Sequence, residues 1–132
     1  MTLVEKLAEV MKEVGYVQKD ATNDFHHYSY ASAAAVLRKV NTALSERRIA
    51  VASRASLEKF EIIQGSKGAK TLAVVKIDLR FTDGEESIRV EGLGSGSDKG
   101  DKAVMKANTA ALKYALANTF MISWGDDPEE TS

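Results

Sequence analysis

The 132-residue sequence predicts an α+β fold: two N-terminal helices, an antiparallel meander of three or four strands, and a long C-terminal helix packed on the sheet. Three observations carry that prediction. Apolar residues recur with the helical period over Leu3–Val14 and again after Ser32. From Ile49 the period shortens to two, the mark of strands with one buried face. After a glycine-rich stretch, alanines recur through 103–117, and the only proline lies beyond them at Pro128.

Taken in order, Thr2-Leu3-Val4-Glu5 reads as a capping box, with Thr2 at the N-cap and Glu5 reaching back. Leu3, Val4, Leu7, Val10, Met11 and Val14 form the apolar stripe of the first helix, and Gly15 ends it. Residues 16–30 make a polar and aromatic connection carrying Tyr16, Phe25, Tyr28 and Tyr30. The second helix starts near Ser32 and runs to about Arg47, burying Ala33, Val36, Leu37, Val40 and Leu44.

Ile49–Glu58 and Lys59–Gln64 read either as two short strands or as one bent strand, followed by a loop at Gly65-Ser66-Lys67-Gly68. Thr71–Phe81 alternates most clearly, with Ala73, Val75, Ile77, Leu79 and Phe81 on one side and Lys76, Asp78 and Arg80 on the other. Asp83-Gly84 signals a hairpin turn, and Ser87–Gly92 returns as a strand with Ile88 and Val90 inward. Gly92–Gly100 is expected to be a flexible connection. The last helix runs from about Asp101 to Phe120, its alanines suited to close approach on a sheet.

Composition removes several function classes. There is no cysteine, which excludes disulfides, thiolate zinc sites and cysteine nucleophiles. The two histidines, His26 and His27, are adjacent, so they point apart and leave little for a triad or a multi-histidine metal site. No apolar run approaches the roughly 18 residues of a membrane span, and Met1–Val14 carries five charges, unlike a signal peptide. A soluble cytoplasmic protein with no membrane partner is expected. Length allows one domain, 1–125, with an acidic tail at 126–132. The net charge of −1 hides an asymmetry: without that tail, 18 basic residues face 15 acidic ones, a net of +3.

The basic residues are placed unevenly. At about 100° per residue, Lys102, Lys106 and Lys113 share one edge of the last helix, with Thr109 beside them and Lys99 just upstream. No Asp or Glu lies between Lys102 and Phe120. A solvated helix face usually mixes signs, whereas spaced ammonium groups in a line match a phosphate backbone. Lys76 and Arg80 on the polar side of the clearest strand, with Arg89 on its neighbour, are further candidates for DNA contact. Asp78 and Glu91 among them offer cross-strand ion pairs instead, and Arg54 is a candidate without separate support.

Other motifs carry less. Gly92-x-Gly94-x-Gly96 has Ser97 where the dinucleotide fingerprint needs its third glycine, and no Gly-Lys-Ser/Thr follows, so it is no Walker loop. Its modest functional version is one phosphate held by free backbone N–H groups before the helix. The Phe25–Tyr30 aromatics suit either base stacking or packing of the connection onto the sheet, and packing is the expectation. Asp126, Asp127 and Glu129 could hold magnesium, though an acidic tail explains them as well.

Gly92-Leu93-Gly94-Ser95-Gly96-Ser97-Asp98-Lys99-Gly100-Asp101-Lys102-Ala103, then Lys106-Ala107-Asn108-Thr109-Ala110, Lys113-Tyr114-Ala115-Leu116 and Gly125-Asp126-Asp127-Pro128-Glu129, resembles the ERF (essential recombination function) family. These are phage and prophage single-strand annealing proteins. Phe25-x-x-Tyr28-x-Tyr30-Ala31-Ser32 is similar to that family's N-terminal half, so the likeness covers roughly Leu3 to Glu129. It implies a β-β-β-α annealing core, shared with the eukaryotic radiation-repair annealing proteins. It also implies homo-oligomeric rings or helical filaments with single-stranded DNA in a basic groove, and annealing without ATP, cofactor or bond breakage. Backbone-contact roles pass to Lys102, Lys106 and Lys113, which match the motif positions. Many relatives continue beyond Gly-Asp-Asp-Pro-Glu into a tail, where binding of a host single-strand-binding protein would lie.

The physical and family readings converge. An annealing protein holds phosphates and leaves base edges free to pair, and three or four contacts per protomer need many protomers on one strand. The first two helices and the aromatic connection are the expected protomer contacts. The alternatives are a non-annealing single-stranded DNA or RNA-binding module and, with little support, a metal-dependent nuclease using the acidic tail.

Overall fold

A computed structural model describes residues 1–124. Its elements run α1 (Leu3–Val14), β1 (Ala21–Asn23), β2 (Tyr28–Tyr30), α2 (Ala33–Glu46), β3 (Ala50–Gly65), β4 (Gly68–Thr82), β5 (Ser87–Asp98) and α3 (Ala103–Phe120). The α+β expectation holds, with a three-stranded antiparallel sheet in the order β3-β4-β5 and α3 packed on β4 and β5. The acidic tail and the Gly-Asp-Asp-Pro motif lie outside the described residues.

Local chemistry sets the helices. Thr2 Oγ1 accepts from the Glu5 N–H at 3.2 Å while the Glu5 carboxylate accepts from the Thr2 N–H at 2.9 Å, so the capping box forms as the spacing predicts. Leu3, Val10 and Val14 are buried, but Val4 and Met11 stay exposed, because only a narrow stripe of α1 meets the core. Ser32 caps α2 through the Ala35 N–H. Val36, Val40, Ala43 and Leu44 carry α2 into the core, while Ala33 and Leu37 are only half-buried.

The structure settles one open point of the strand reading and departs from it at two others. Of the two readings left open for the first stretch, the single bent strand is the one that forms, β3, with a register shift between Leu57 and Lys59 that leaves Glu58 as the extra residue of a bulge. A separate hairpin, β1 with β2, lies within the polar and aromatic connection, where no strand is expected. Most consequentially, β5 does not end at Gly92 but continues through the glycines to Asp98.

That continuation corrects the flexible-connection expectation. Gly92, Gly94 and Gly96 pair with Ile77, Val75 and Ala73 of β4, on the side covered by α3. Ala103, Ala107, Ala111 and Ala115 sit at every fourth position of α3, all buried. A Cβ on Gly94 would lie 2.1 Å from the Ala111 nitrogen, and one on Gly96 would lie 2.6 Å from the Ala107 nitrogen. The helix therefore rests on the strand at backbone distance, which only glycine on one side and alanine on the other allow. Beyond this seam Phe120 meets Phe81 edge-on at 5.5 Å, and Ala73, Val75, Ile77, Leu79 and Phe81 form the buried side of β4 as the alternation predicts.

Candidate nucleic-acid interface

Anchoring of α3 by its alanines turns the opposite side of the helix outward. There Lys102, Lys106 and Lys113 line one groove, together with Met105, Thr109, Tyr114 and, from β2, Tyr30. The stripe inferred from helical spacing is thus a single surface. Lys99, exposed on the turn after β5, stands upstream of it.

The three lysines are not equivalent. Lys102 is exposed at the start of α3, and no side-chain cap bond forms there. Lys106 is paired: its Nζ lies 2.7 Å from Asp98 Oδ1. The other Asp98 oxygen accepts from the Gly100 N–H at 2.9 Å and the Lys102 N–H at 3.3 Å. The Lys106 hydrogen bond, followed by these two backbone donors, pulls the Asp98 carboxyl down to about 2. The helix carries no acid of its own, but β5 supplies one, so the positive edge is partly relieved.

Lys113 lies deepest. Its Nζ sits 5.5 Å from the Tyr30 ring centroid, 5.2 Å from Tyr114 and 5.3 Å from Trp124, a cation held over aromatic faces. Burial lowers its pKa, and the nearby Asp20 charge opposes that shift in part. Tyr30 reaches this place because the β1–β2 hairpin is tied at its base. The Asp20 N–H donates to the Tyr30 carbonyl at 3.2 Å. The Asp20 carboxylate accepts from both the N–H and hydroxyl of Ser32, at 2.8 Å each. Those two donors hold the Asp20 carboxyl below the usual carboxylate range.

Lys76, Arg80 and Arg89 do not join this groove. They point from the side of the sheet opposite α3, as their pairing with the buried alternation requires. Lys76 pairs with Glu91 at 3.9 Å, so the ion-pair reading applies to it. Arg80 stands opposite Arg89 in register, and among the described residues neither makes an ion pair. With Arg54, Asp78 and Ala52 they line a shallow depression separate from the groove.

Among the described residues no group of three or more His, Asp or Glu side chains could hold a metal, and no helix is long and apolar enough to cross a membrane. The nuclease reading falls on residues outside the description. Sequence reasoning missed Trp124 and the placing of Tyr30 and Tyr114 beside the lysines. The alternation Tyr28-Ser29-Tyr30 after the Asn23-Asp24 turn signal was the available clue.

With the β-β-β-α unit and its lysine-lined helix in place, comparison with protein-family models matches the chain to the ERF superfamily over residues 3–132. The chain belongs to the ERF superfamily. The match spans the helical half as well as the sheet and α3, so the groove between Tyr30 and α3 is built wholly within the ERF unit. At family level this is a phage-type single-strand annealing and recombination protein. No curated protein matches the chain.

Proposed function

We propose that this ERF protein binds single-stranded DNA by its phosphates along the α3 groove and anneals complementary strands, without ATP, cofactor or covalent chemistry. One observation carries the reading: Lys102, Lys106 and Lys113 converge on a single groove flanked by Tyr30 and Tyr114, with Asp98 paired to Lys106 at its edge. Ammonium groups hold phosphates without reading bases, so base edges stay available to a complement. Three contacts give a salt slope of only about −2 for a single strand, which is weak for one protomer. Repetition along a strand restores affinity, and homo-oligomerisation is part of the proposal.

The surface that supports assembly is β3 rather than α1 and α2, whose main apolar stripes pack within the protomer. Val51, Leu57, Phe60 and Ile62 are 45%, 53%, 55% and 65% exposed. All four face the α3 side, opposite Phe81, Val75, Ala73 and Thr71 of β4, yet α3 packs over β4 and β5 and leaves them open. A sixteen-residue edge strand with an uncovered apolar row is a template for pairing with another copy. The cytoplasm of a bacterial or phage-infected cell is the setting such a recombination protein would work in.

The test is annealing of complementary fluorescent oligonucleotides at low and physiological salt, without ATP and with chelator present. Acceleration well above the protein-free rate supports the proposal. Strand binding without acceleration replaces it with a non-annealing binding module, and absence of binding removes the groove from function.

A further inference from the structure

The β1–β2 hairpin is the one part of the described chain whose aromatic residues are left in solvent as a group. Phe25 is 83% exposed and Tyr28 52%. This corrects the expectation that the Phe25–Tyr30 aromatics pack onto the sheet: the hairpin's strands pair with each other as a sheet separate from β3-β4-β5, and these two rings stay exposed. Its rings form a sequence of contacts. Phe25 meets His26 edge-on at 4.9 Å, His26 stacks on Tyr28 at 6.3 Å, and Tyr28 lies 5.9 Å from Tyr30. The series then passes into the groove, because Tyr30 covers Lys113. His27 takes a left-handed backbone conformation, φ 54°, at the hairpin turn.

We infer that this hairpin is a base-stacking arm, on which Phe25 and Tyr28 receive successive bases of the strand whose phosphates lie on Lys102, Lys106 and Lys113. The inference rests on the phosphate-groove reading above and adds the site for the bases. A nucleotide is an apolar aromatic plate joined to an anion, and the hairpin and α3 offer the complement of each part side by side. Stacking engages base faces and is tolerant of sequence. It leaves the pairing edges free, as annealing requires. A protein surface would match the exposed rings alone, whereas a nucleic-acid strand also matches the cations into which they run.

The experiment measures binding of the full chain to two fluorescein-labelled 20-nucleotide probes across a salt series: oligothymidylate, and an abasic strand with the same number of phosphates. Oligothymidylate is expected to bind about tenfold tighter or more than the abasic strand. The double variant Phe25→Ala/Tyr28→Ala is expected to lose about tenfold or more on oligothymidylate, with its salt slope and abasic binding unchanged. Tyr28→Phe keeps the ring and removes the hydroxyl that accepts from Asn23 Nδ2 at 3.5 Å, and is expected to bind as the unsubstituted protein does.

Equal binding of oligothymidylate by the double variant overturns the stacking arm while the phosphate groove stands. So does an equal loss on both probes, or a Tyr28→Phe loss as large as that of the double variant. A fall in sedimentation coefficient that accounts for lost binding assigns the hairpin to contact between copies and overturns it too. If the unsubstituted protein binds neither probe, the groove reading falls together with the arm.

Discussion

β3 and β5 border the same sheet and meet their surroundings in opposite ways. On the α3 side, β5 presents Gly92, Gly94 and Gly96, and the helix lies against them at backbone distance. On that same side, β3 presents Val51, Leu57, Phe60 and Ile62, larger and more apolar, and the described residues leave each of them about half exposed or more. Hydrophobicity alone would have drawn the helix toward β3. Close approach over glycine instead fixes α3 at the far border, where dispersion between backbones replaces side-chain burial. Coverage of a sheet follows fit as well as greasiness, and the residue left bare is then free for another partner.

The comparison is broken most severely at Gly94. Gly94→Val places branched carbons where even a Cβ meets the Ala111 nitrogen at 2.1 Å, so we expect a loss of about 3 kcal/mol. Thermal unfolding followed by circular dichroism is expected to shift down by on the order of 10 °C. Ser95→Val, one residue along and facing away from α3, is expected to change stability by less than about 0.5 kcal/mol. Equal effects at the two positions would deny the seam.

At the other border the outcome is expected to invert. Phe60→Asp with Ile62→Asp alters residues that are already exposed, so the protomer's melting temperature is expected to stay within about 2 °C. Assembly measured by sedimentation velocity is expected to collapse to smaller species. A large loss of stability with unchanged assembly would show that β3 is covered within the protomer after all.

Smaller effects sharpen how the seam presents the outer side of α3. Replacing both Lys106 and Lys113 by Ala is expected to weaken single-strand binding and reduce the salt slope by about 1.4, at about 0.7 per phosphate. Fold retention is checked by the melting curve, and unchanged binding would remove the stripe from the mechanism.

The smallest effect concerns Asp98, which joins the end of β5 to Lys106. Its carboxyl is depressed to about 2 in the fold, so its stabilising contribution is complete above the unfolded value near 3.8 and is lost as pH falls through about 2. Between pH 5 and 8 this group is expected to contribute no pH dependence. Below pH 4 the unsubstituted protein is expected to lose stability relative to Asp98→Asn, as read by urea unfolding.

Much of this arrangement is legible from residue order. The Thr2–Glu5 box, the Ser32 cap and the β4 alternation each express a local rule, and local rules survive folding. The continuation of β5 is not legible in the same way, because glycine has no side chain with which to alternate; its signal lies in the alanines of the next element, at a fourfold spacing that means little until the two are juxtaposed. For the site, Lys102, Lys106 and Lys113 follow from helical spacing alone. The Asp98 partner of Lys106 comes from another element, so no reading of α3 contains it. Lys76, Arg80 and Arg89 were separable in principle: if α3 packs on the apolar side of β4, the polar side of that strand must face away from it.

The bulge at Glu58 has a geometric consequence of its own. Between the same two ends, β3 runs sixteen residues and β4 fifteen, so two strips of unequal length are fastened together along their margins. Like a bimetallic strip, such a pair bends, and the longer member takes the outer path. Deleting Glu58 would leave each remaining residue opposite its present partner and on its present side, but would draw the margin straighter. Any copy that pairs along β3 meets a curved margin, and a curved margin turns each added unit relative to the last.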